Sequence, residues 1–336
     1  MDLVSLDELS LRLNVAPETL LAVGVAAGIF ATAARVRTLP LAQVPDLLTA
    51  FRAAHAHHHE GWDVPDWLRD STDQAWRVIA ELYREPMTRP ASLPPSQGQQ
   101  LHELILATAP KRVVEIGSFL GLSTLWIASA LRILGAGKVH AVDPFEPKLP
   151  FAKTHCGCIV NAVEFVARAV TRAGVADFVS LEPGYSRQFA RELHVTQRPE
   201  IDFLFIDGDH SVGGCLDDFV SYYPLVRRGG HILVHDIHPA RCGWPGPRYL
   251  LDRIVAGNSR FKVHEIVTEP DYGMALITKL TDDRSLPGLT RMKADLIIYP
   301  HRAIQAAVRN RLLRRTLRPL LTAFKLRRAQ LAAGRF

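Results

Sequence analysis

Cysteine is scarce in this chain, which has four among its 336 residues. Four are too few for the disulfide scaffold of a small secreted protein, and their scarcity predicts a protein of the reducing cytoplasm. Cys156 and Cys158 lie beside His155, but no second pair follows at the spacing of a zinc finger. We therefore interpret these cysteines as ordinary loop residues.

Apolar runs long enough to cross a membrane are also lacking. The apolar segment 20–34 is too short to span a bilayer, and it follows an acidic start instead of the basic start of a signal peptide. It predicts a buried helix within a small helical N-terminal module over residues 1–60. Ser5 and Glu8 support this module because they have the spacing of a capping box. The module lacks the basic face of a DNA-binding helix, so we expect it to serve packing or the formation of a homo-oligomer.

Acidic residues are absent from residues 301–336, which contain ten Lys or Arg. The whole chain has a formal charge of +6, so the rest of it sums to −4 and the basic character belongs to the tail. A net acidic body gives no reason to expect binding to nucleic acid. Leucines at helical spacing among the arginines predict a basic helical tail over residues 286–336. We expect this tail to pack on the acidic body or to touch an anionic membrane surface.

A linker and a helix are predicted over residues 61–92, and short apolar runs then alternate with helical patterns over residues 93–285. The prolines and small polar residues of the stretch 87–99 predict a loop, and helices are predicted over residues 101–107 and 216–226 among others. Strands are predicted to end at Ile116, Asp143, Leu181, Ile206 and His235, and two final strands are predicted at 261–267 and 272–279. Strands that alternate with helices predict right-handed crossovers. The expected fold is therefore α/β, with a Rossmann-like, doubly wound, mostly parallel seven-stranded sheet.

Polar residues cluster at the carboxyl ends of these predicted strands, where ligands bind in such sheets. They are Glu115, Asp143, Asp207, His210, His235 and Asp236. The coincidence predicts one shared site at that edge of the sheet.

A glycine-bearing turn within the stretch KRVVEIGSFLGLS follows the first of the central strands. Gly117 and Gly121 permit a ligand to approach the backbone, and the amides of the next helix offer hydrogen-bond donors. A nicotinamide dinucleotide requires the spacing G-x-G-x-x-G, whereas this turn holds the bulky residues Phe119 and Leu120. Glu115 ahead of the turn favours a ligand with a cationic end, such as S-adenosylmethionine, over a ligand with two phosphates.

Six segments together carry a family resemblance. In chain order they are LPPSQGQQLHELI, VVEIGSFLGLSTLWIA, AVDPF, LEPGYS, FLFIDGDHSVGGCLDDFVSYYPLVRRGGHILVHDI and YGMALITK. From about residue 93 to residue 279 the chain resembles a class I S-adenosylmethionine-dependent methyltransferase. In pattern it is similar to the small-molecule O-methyltransferases that include the catechol, caffeoyl-CoA and macrolide-sugar enzymes. The resemblance implies an enzyme that methylates a hydroxyl group of a small molecule, either a sugar or a phenol.

The resemblance also implies roles for individual residues. It places the cofactor-binding residues at Glu115, Gly117, Ser118, Gly121, Ser123, Asp143, Gly184, Tyr185, Ser186 and Asp207. In that set Asp143 takes the position of the ribose-binding carboxylate. His210 takes the position of a catalytic base. Asp207 and Asp236 take the positions of metal-binding carboxylates, which makes Mg²⁺ a second candidate cofactor.

The implied metal site departs from the family pattern at Ile237, where relatives of the caffeoyl-CoA type have an asparagine ligand. His235 and Asp209 are candidates for the missing ligand, although magnesium prefers oxygen donors to histidine. The need for a metal therefore stays open at this point. Trp126 and Phe119 are interpreted as packing residues.

The acceptor pocket has no motif that names the acceptor. We expect its wall to come from the segment that contains His238, Trp244 and Tyr249, directly after the last predicted parallel strand, and from the long insertion over residues 146–158. Two other functions stay open on the sequence. One is an NAD-dependent oxidoreductase, which the glycine spacing disfavours. The other is a regulatory or scaffold protein that binds S-adenosylmethionine without catalysis.

Overall fold

A seven-stranded sheet forms the centre of the protein. The computed structural model describes residues 3–6, 9, 17–31, 38–47, 50, 62–85, 88, 89, 91–146, 159, 161–196, 200–267, 271–285, 297 and 298. Its strands are β1 (Leu3–Ser5), β2 (Thr38–Pro40), β3 (Arg112–Ile116), β4 (Lys138–Asp143), β5 (Val179–Pro183), β6 (Ile201–Ile206), β7 (Val226–His235), β8 (Phe261–Ile266) and β9 (Met274–Lys279). The central sheet has the order β5-β4-β3-β6-β7-β9-β8. Its strands are parallel except at β9, which is antiparallel to both β7 and β8.

Helices separate most of these strands along the chain. They are α1 (Pro17–Ala26), α2 (Asp66–Arg69), α3 (Gln74–Leu82), α4 (Pro95–Thr108), α5 (Leu122–Leu134), α6 (Ala162–Arg172), α7 (Ser186–Val195), α8 (Val212–Tyr222), α9 (Pro239–Cys242) and α10 (Gly246–Leu250). Short 3₁₀ turns lie at Leu41–Gln43, Ala176–Phe178 and Tyr223–Leu225, and one π-helical turn lies at Leu251–Val255. In the described part of the chain, no helix has the length and apolar character needed to cross a bilayer.

Both faces of the sheet are covered by helices. On one face, Phe203 and Phe205 belong to a core that includes residues of α3, α4, α5 and α6. On the other face, Leu204 and Ile206 belong to a core with residues of α7, α8 and α10. Successive side chains of a strand point to opposite faces, so β6 buries apolar residues on both sides. The predicted doubly wound, mostly parallel seven-stranded fold is confirmed.

The N-terminal module is not purely helical, which corrects the expectation for residues 1–60. β1 pairs with β2 in an antiparallel ribbon, in which Val4 lies opposite Leu39. A small separate core that includes Leu20 and Leu39 supports α1 and this ribbon. The pairing joins segments more than thirty residues apart, so no local pattern announces it. The predicted C-terminal tail lies outside the described residues, apart from positions 297 and 298.

Two helix boundaries also differ from the sequence-based expectation. α4 begins at Pro95, inside a stretch expected to be a loop, because proline suits the first turn of a helix. α8 was expected over residues 216–226 but begins at Val212, where the Ser211 side chain accepts a hydrogen bond from the Gly214 amide. It ends before Pro224, and Val226 already belongs to β7. The earlier start places the loop after β6 directly against the end of β3.

The ends of β3 and β6 meet without a side chain between them. The Asp207 amide donates a hydrogen bond to the Ile116 carbonyl at 2.9 Å, and the Gly117 amide donates one to the Val142 carbonyl at 2.9 Å. Gly117 has φ +91°, and a Cβ there would lie 2.1 Å from the Asp207 carbonyl oxygen. Only glycine satisfies both conditions, because a side chain is strained at this φ and has no space.

We expect Gly117→Ala to destabilise the protein much more than Gly135→Ala. Gly135 also has a positive φ, of +65°, but a Cβ there would meet no atom within 4 Å. The control should therefore cost only left-handed strain, about 1–2 kcal/mol. Gly117→Ala should add about 1–3 kcal/mol for overpacking against backbone. Urea unfolding measures both losses, and equal losses would show that the close approach of the two strand ends carries no cost.

Candidate active site

Two neighbouring cavities open at the carboxyl ends of β3 and β6, where the strand order of the sheet reverses. The first has a volume of about 420 Å³ and the second about 550 Å³. Five residues line both cavities: Gly117, Phe119, Asp207, Gly208 and Asp209. The cavities therefore share one wall, as expected for a single composite site.

The first cavity contains a cluster of two carboxylates and two imidazoles. One ligand atom from each of Asp207, His210, His235 and Asp236 lies within 4.8 Å of the others. Asp207 Oδ1 is 2.9 Å from His235 Nδ1 and 3.2 Å from His210 Nε2. Asp236 is 3.1 Å from His235 Nδ1 and 3.3 Å from His210 Nε2. Both imidazoles thus face the same pair of carboxylates.

The His235 ring is held at both of its nitrogens. Its Nδ1 faces Asp207, and its Nε2 lies 2.7 Å from Oε1 of Gln97 on α4. Carboxylate and amide oxygens only accept hydrogen bonds, so both ring nitrogens donate. Burial alone lowers the pKa of His235, but the charges of Asp207 and Asp236 outweigh it and raise the pKa to about 9. His235 is therefore an imidazolium at neutral pH.

The two carboxylates of the cluster have different acidities. Burial opposes the charge on Asp207, yet attraction to His235 and a hydrogen bond from His210 hold its pKa well below the usual range. Burial raises the pKa of Asp236 against the attraction of His235. Asp236 also has φ +58°, an uncommon conformation for a residue other than glycine. Strain of this kind is concentrated at functional sites.

His210 has the position expected of a base, because it lies beside both carboxylates in the first cavity. Burial lowers its pKa, but the hydrogen bond to Asp207 and the charge of that residue raise it above the ordinary value. In the neutral ring, Nε2–H donates to the carboxylates, which leaves the Nδ1 lone pair to accept a proton. The ring of Trp244, 52% exposed, lies with its centroid 6.5 Å from that of His210. Trp244 also lines the first cavity, as expected for an acceptor wall.

The donor set of the cluster does not match the preference of magnesium. Mg²⁺ favours six oxygen ligands in octahedral geometry, whereas this cluster offers two carboxylates and two imidazoles. Ile237, at the third ligand position of the expected site, is fully buried and has no donor atom. His235 Nδ1 is within 3.1 Å of both carboxylates, so an imidazole already provides their counter-charge.

Glu115 is buried at the end of β3 and does not line either cavity. Its Oε2 accepts a hydrogen bond from Thr124 Oγ1 at 2.5 Å. Its Oε1 has no hydrogen-bond partner among the described residues. Burial raises the pKa of Glu115 to about 8, against the hydrogen bonds from Ser123 and Thr124. One carboxyl oxygen of Glu115 therefore has a hydrogen-bond partner and the other has none.

Asp143 closes the second cavity at the end of β4. Its two side-chain oxygens accept hydrogen bonds from the Phe119 amide at 2.9 Å and the Phe145 amide at 2.6 Å. Tyr185 and Ser186 line the same cavity, while Gly184 is joined to it through a hydrogen bond from its amide to the Asp143 carbonyl. The residues expected to bind ribose and adenine therefore lie together.

Of the remaining residues of the glycine-bearing turn, some line a cavity and others pack behind it. Ser118 and Ser123 line the first cavity. Gly121 does not line either cavity; it begins α5, and a Cβ there would approach Val166 to 2.8 Å. Trp126 is fully buried, as expected for a packing residue. Phe119 packs against the same core as expected, and it also lines both cavities.

Two functional candidates were not identified from the sequence. Gln97 contacts His235 across 138 residues of sequence, and only its place in the segment LPPSQGQQLHELI gave a signal. Asp218, on α8, lines the second cavity and accepts a hydrogen bond from Ser186 Oγ at 2.5 Å. Burial raises the pKa of Asp218 to about 7. The sequence predicted that Asp218 lies in a helix, but no pattern indicated that its side chain would face the site.

Comparisons with known proteins agree with this geometry. Residues 114–237 match a family model described as a methyltransferase domain. Tricin synthase 2 from Oryza sativa subsp. japonica is 32% identical over 151 residues, which cover 43% of this chain and 44% of that protein. A caffeoyl-CoA O-methyltransferase from Populus kitakamiensis is 26% identical over 178 residues, which cover 50% of this chain and 60% of that protein. The matches thus span about half the length of these relatives.

Among solved structures, the O-methyltransferase TomG from Streptomyces achromogenes, in complex with SAM, matches with a TM-score of 0.48 and 23% identity. The match covers 63% of this chain and 92% of that one. The family match begins inside β3 and ends two residues after β7, so it contains the strand ends that form both cavities. The predicted resemblance to S-adenosylmethionine-dependent O-methyltransferases is confirmed: residues 114–237 match the model of a methyltransferase domain, and the curated relatives are O-methyltransferases by name.

Proposed function

We propose that the protein is an S-adenosylmethionine-dependent O-methyltransferase that acts on a hydroxyl group of a small molecule, a sugar or a phenol. The observation that carries the proposal is the wall shared by the two cavities, with Asp143 in one and His210 in the other. A methyl donor and a hydroxyl acceptor must meet in line, and two cavities with a common wall suit that demand.

In this proposal the second cavity holds the ribose and adenine of the cofactor, and the methionine end reaches past the shared wall toward the first cavity. Asp143 receives the ribose, while Tyr185 and Ser186 flank the adenine. The unsatisfied, buried Oε1 of Glu115 fits a cofactor with a cationic methionine end. When bound, S-adenosylmethionine supplies an electrophilic methyl group on a positively charged sulfur. Gly117 and Ser123 contribute a narrow turn beside that end.

The first cavity holds the acceptor and removes its proton. Trp244 offers an exposed aromatic face, and His210 takes the hydroxyl proton at Nδ1 as the oxygen attacks. Asp207 orients His210 through the hydrogen bond to Nε2 and stabilises the imidazolium that forms. His235 keeps a positive charge beside the two carboxylates. This charge weakens the attraction of the cluster for other cations.

Magnesium has no step in this mechanism, because the donor set does not fit it. Mg²⁺ at Asp207 and Asp236 stays a prediction of the family pattern. The cytoplasmic location rests on the scarcity of cysteine alone, and the homo-oligomer and the role of the basic tail stay predictions too.

Calorimetric titration of the full chain tests the cofactor half of the proposal. We expect S-adenosylmethionine to bind and NAD to produce no heat. The bulky side chain of Phe119 occupies the turn in which a dinucleotide would place its pyrophosphate. The apparent affinity should tighten about tenfold per pH unit from pH 6 toward 8, because a cation favours ionised Glu115. That pKa is about 8. Glu115→Gln is the control. In this variant the ligand still titrates but residue 115 does not, so any pH dependence that remains belongs to the ligand. No heat with S-adenosylmethionine, or parallel pH curves for the two proteins, would contradict this assignment.

Methyl transfer from labelled cofactor to a panel of phenols and sugars tests His210. His210→Ala should lower kcat by about 10²–10⁴ and leave cofactor affinity unchanged, because it removes a proton acceptor and no cofactor contact. The wild-type rate should rise with pH as His210 loses its proton, with a midpoint above the ordinary value of 6.5. The variant should lose that rise. A variant as active as the wild type would remove His210 from the mechanism, and a wild type that binds cofactor without any transfer would support a scaffold role.

Removal of metal ions tests whether the cluster of Asp207, His210, His235 and Asp236 works without magnesium. After dialysis against EDTA, the wild type should retain its methyl-transfer rate, because imidazoles already neutralise the carboxylates that magnesium would need. Bound metal is measured by mass spectrometry on the same samples. A loss of rate that Mg²⁺ restores would contradict the metal-free mechanism.

A further inference from the structure

We propose that Gln97 is a positioning residue that fixes the His235 ring between Asp207 and Asp236 and thereby aligns Asp207 with His210. The inference rests on the proposed role of His210. Gln97 lies on α4, outside the stretch that matches the methyltransferase family. The chain thus supplies part of its site from a helix that precedes the residues matched by the family model.

The contact itself is short and buried. Gln97 is 1% exposed, and its Oε1 lies 2.7 Å from His235 Nε2. The opposite ring nitrogen, Nδ1, donates to Asp207 Oδ1 at 2.9 Å. A ring that is anchored at both nitrogens cannot turn about its Cβ–Cγ bond without breaking a hydrogen bond. Gln97 therefore defines which way the His235 ring faces.

The position of Gln97 is itself fixed by close packing. A Cβ at the next residue, Gly98, would lie 2.2 Å from Trp126 Nε1, so α4 and α5 approach closely at this point. Trp126 Nε1 donates a hydrogen bond to Tyr83 Oη at 2.9 Å, and Tyr83 Oη donates to the Leu93 carbonyl at 3.2 Å. A buried chain of hydrogen bonds thus holds the start of α4 against the methyltransferase domain.

Stability does not explain a glutamine at this position. The Gln97 Nε2 amide is buried and has no hydrogen-bond partner among the described residues. An unsatisfied buried donor is a cost to folding, and a methionine of similar length would remove it. Methionine would also leave the buried Nε2–H of His235 without its acceptor, so the two effects on stability oppose each other. The contact of the amide oxygen with His235 is therefore the specific contribution of Gln97 to the site.

The effect of Gln97 reaches His210 through one shared oxygen. Asp207 Oδ1 faces both His235 Nδ1 and, at 3.2 Å, His210 Nε2. If the His235 ring turns, Asp207 loses one of its two partners and its orientation toward the base. The cofactor cavity is not affected, because neither Gln97 nor His235 lines it.

The experiment compares the full-length wild type with Gln97→Met, Gln97→Glu and Gln99→Met. Gln97→Met removes the acceptor oxygen, and Gln97→Glu restores one. Gln99, exposed on the same helix and bonded to Glu103, gives the matched control. The measurements are the ring N–H signals of His235 in protein labelled with ¹⁵N-histidine, the Tm, the affinity for S-adenosylmethionine and the rate of methyl transfer to phenols and sugars.

We expect Gln97→Met to lose the protected Nε2–H signal of His235 while its Tm changes little, because the lost acceptor of His235 opposes the removal of the unsatisfied Gln97 Nε2. Its kcat should fall about tenfold to a hundredfold, with cofactor affinity within about twofold of the wild type. Gln97→Glu should recover the signal and most of the rate, and Gln99→Met should behave as the wild type. Wild-type ring signals and rate in Gln97→Met would overturn the inference, as would a lowered Tm with proportionate loss of cofactor binding.

Failure of the proposed function is distinguishable from failure of this inference. A wild type that neither binds S-adenosylmethionine nor transfers a methyl group would end the proposed function. The ring signals of His235 need neither cofactor nor acceptor, so they decide whether Gln97 fixes the ring in either case.

Discussion

The site depends on the close approach of two strand ends, at which the backbone of Gly117 meets the carbonyl of Asp207. Parallel strands bring their carboxyl ends to one edge, and here the strand order reverses between β3 and β6. Because no side chain separates the two loops, Gly117 and Asp207 line both cavities. The adjacency of the two cavities follows from this one contact.

The charges of the site are arranged around that shared wall. Asp207 and Asp236 face the imidazoles of His210 and His235, so a histidine pair performs the neutralisation that a divalent ion would otherwise provide. A fixed imidazolium at His235 leaves His210 as the ring that changes protonation during a reaction. Glu115 stands apart from this cluster, since it is buried behind the turn and burial raises its pKa to about 8.

Local patterns were sufficient for the parts of the molecule that repeat along the chain. The strand ends at Asp143 and Ile206 followed from short apolar runs, and the convergence of the acidic and histidine residues followed from the parallel order. The patterns failed where a contact joins distant segments, as between Gln97 and His235, which are 138 residues apart. They also gave no sign that Phe119, which packs against the core as expected, would line both cavities as well.

A crystal structure of the full chain with S-adenosylhomocysteine tests the central claim most directly. The account predicts ribose hydroxyls on Asp143, adenine beside Ser186, and the sulfur at the wall that the two cavities share, facing the one that holds His210. A cofactor bound elsewhere, or a sulfur separated from His210 by protein, would contradict it.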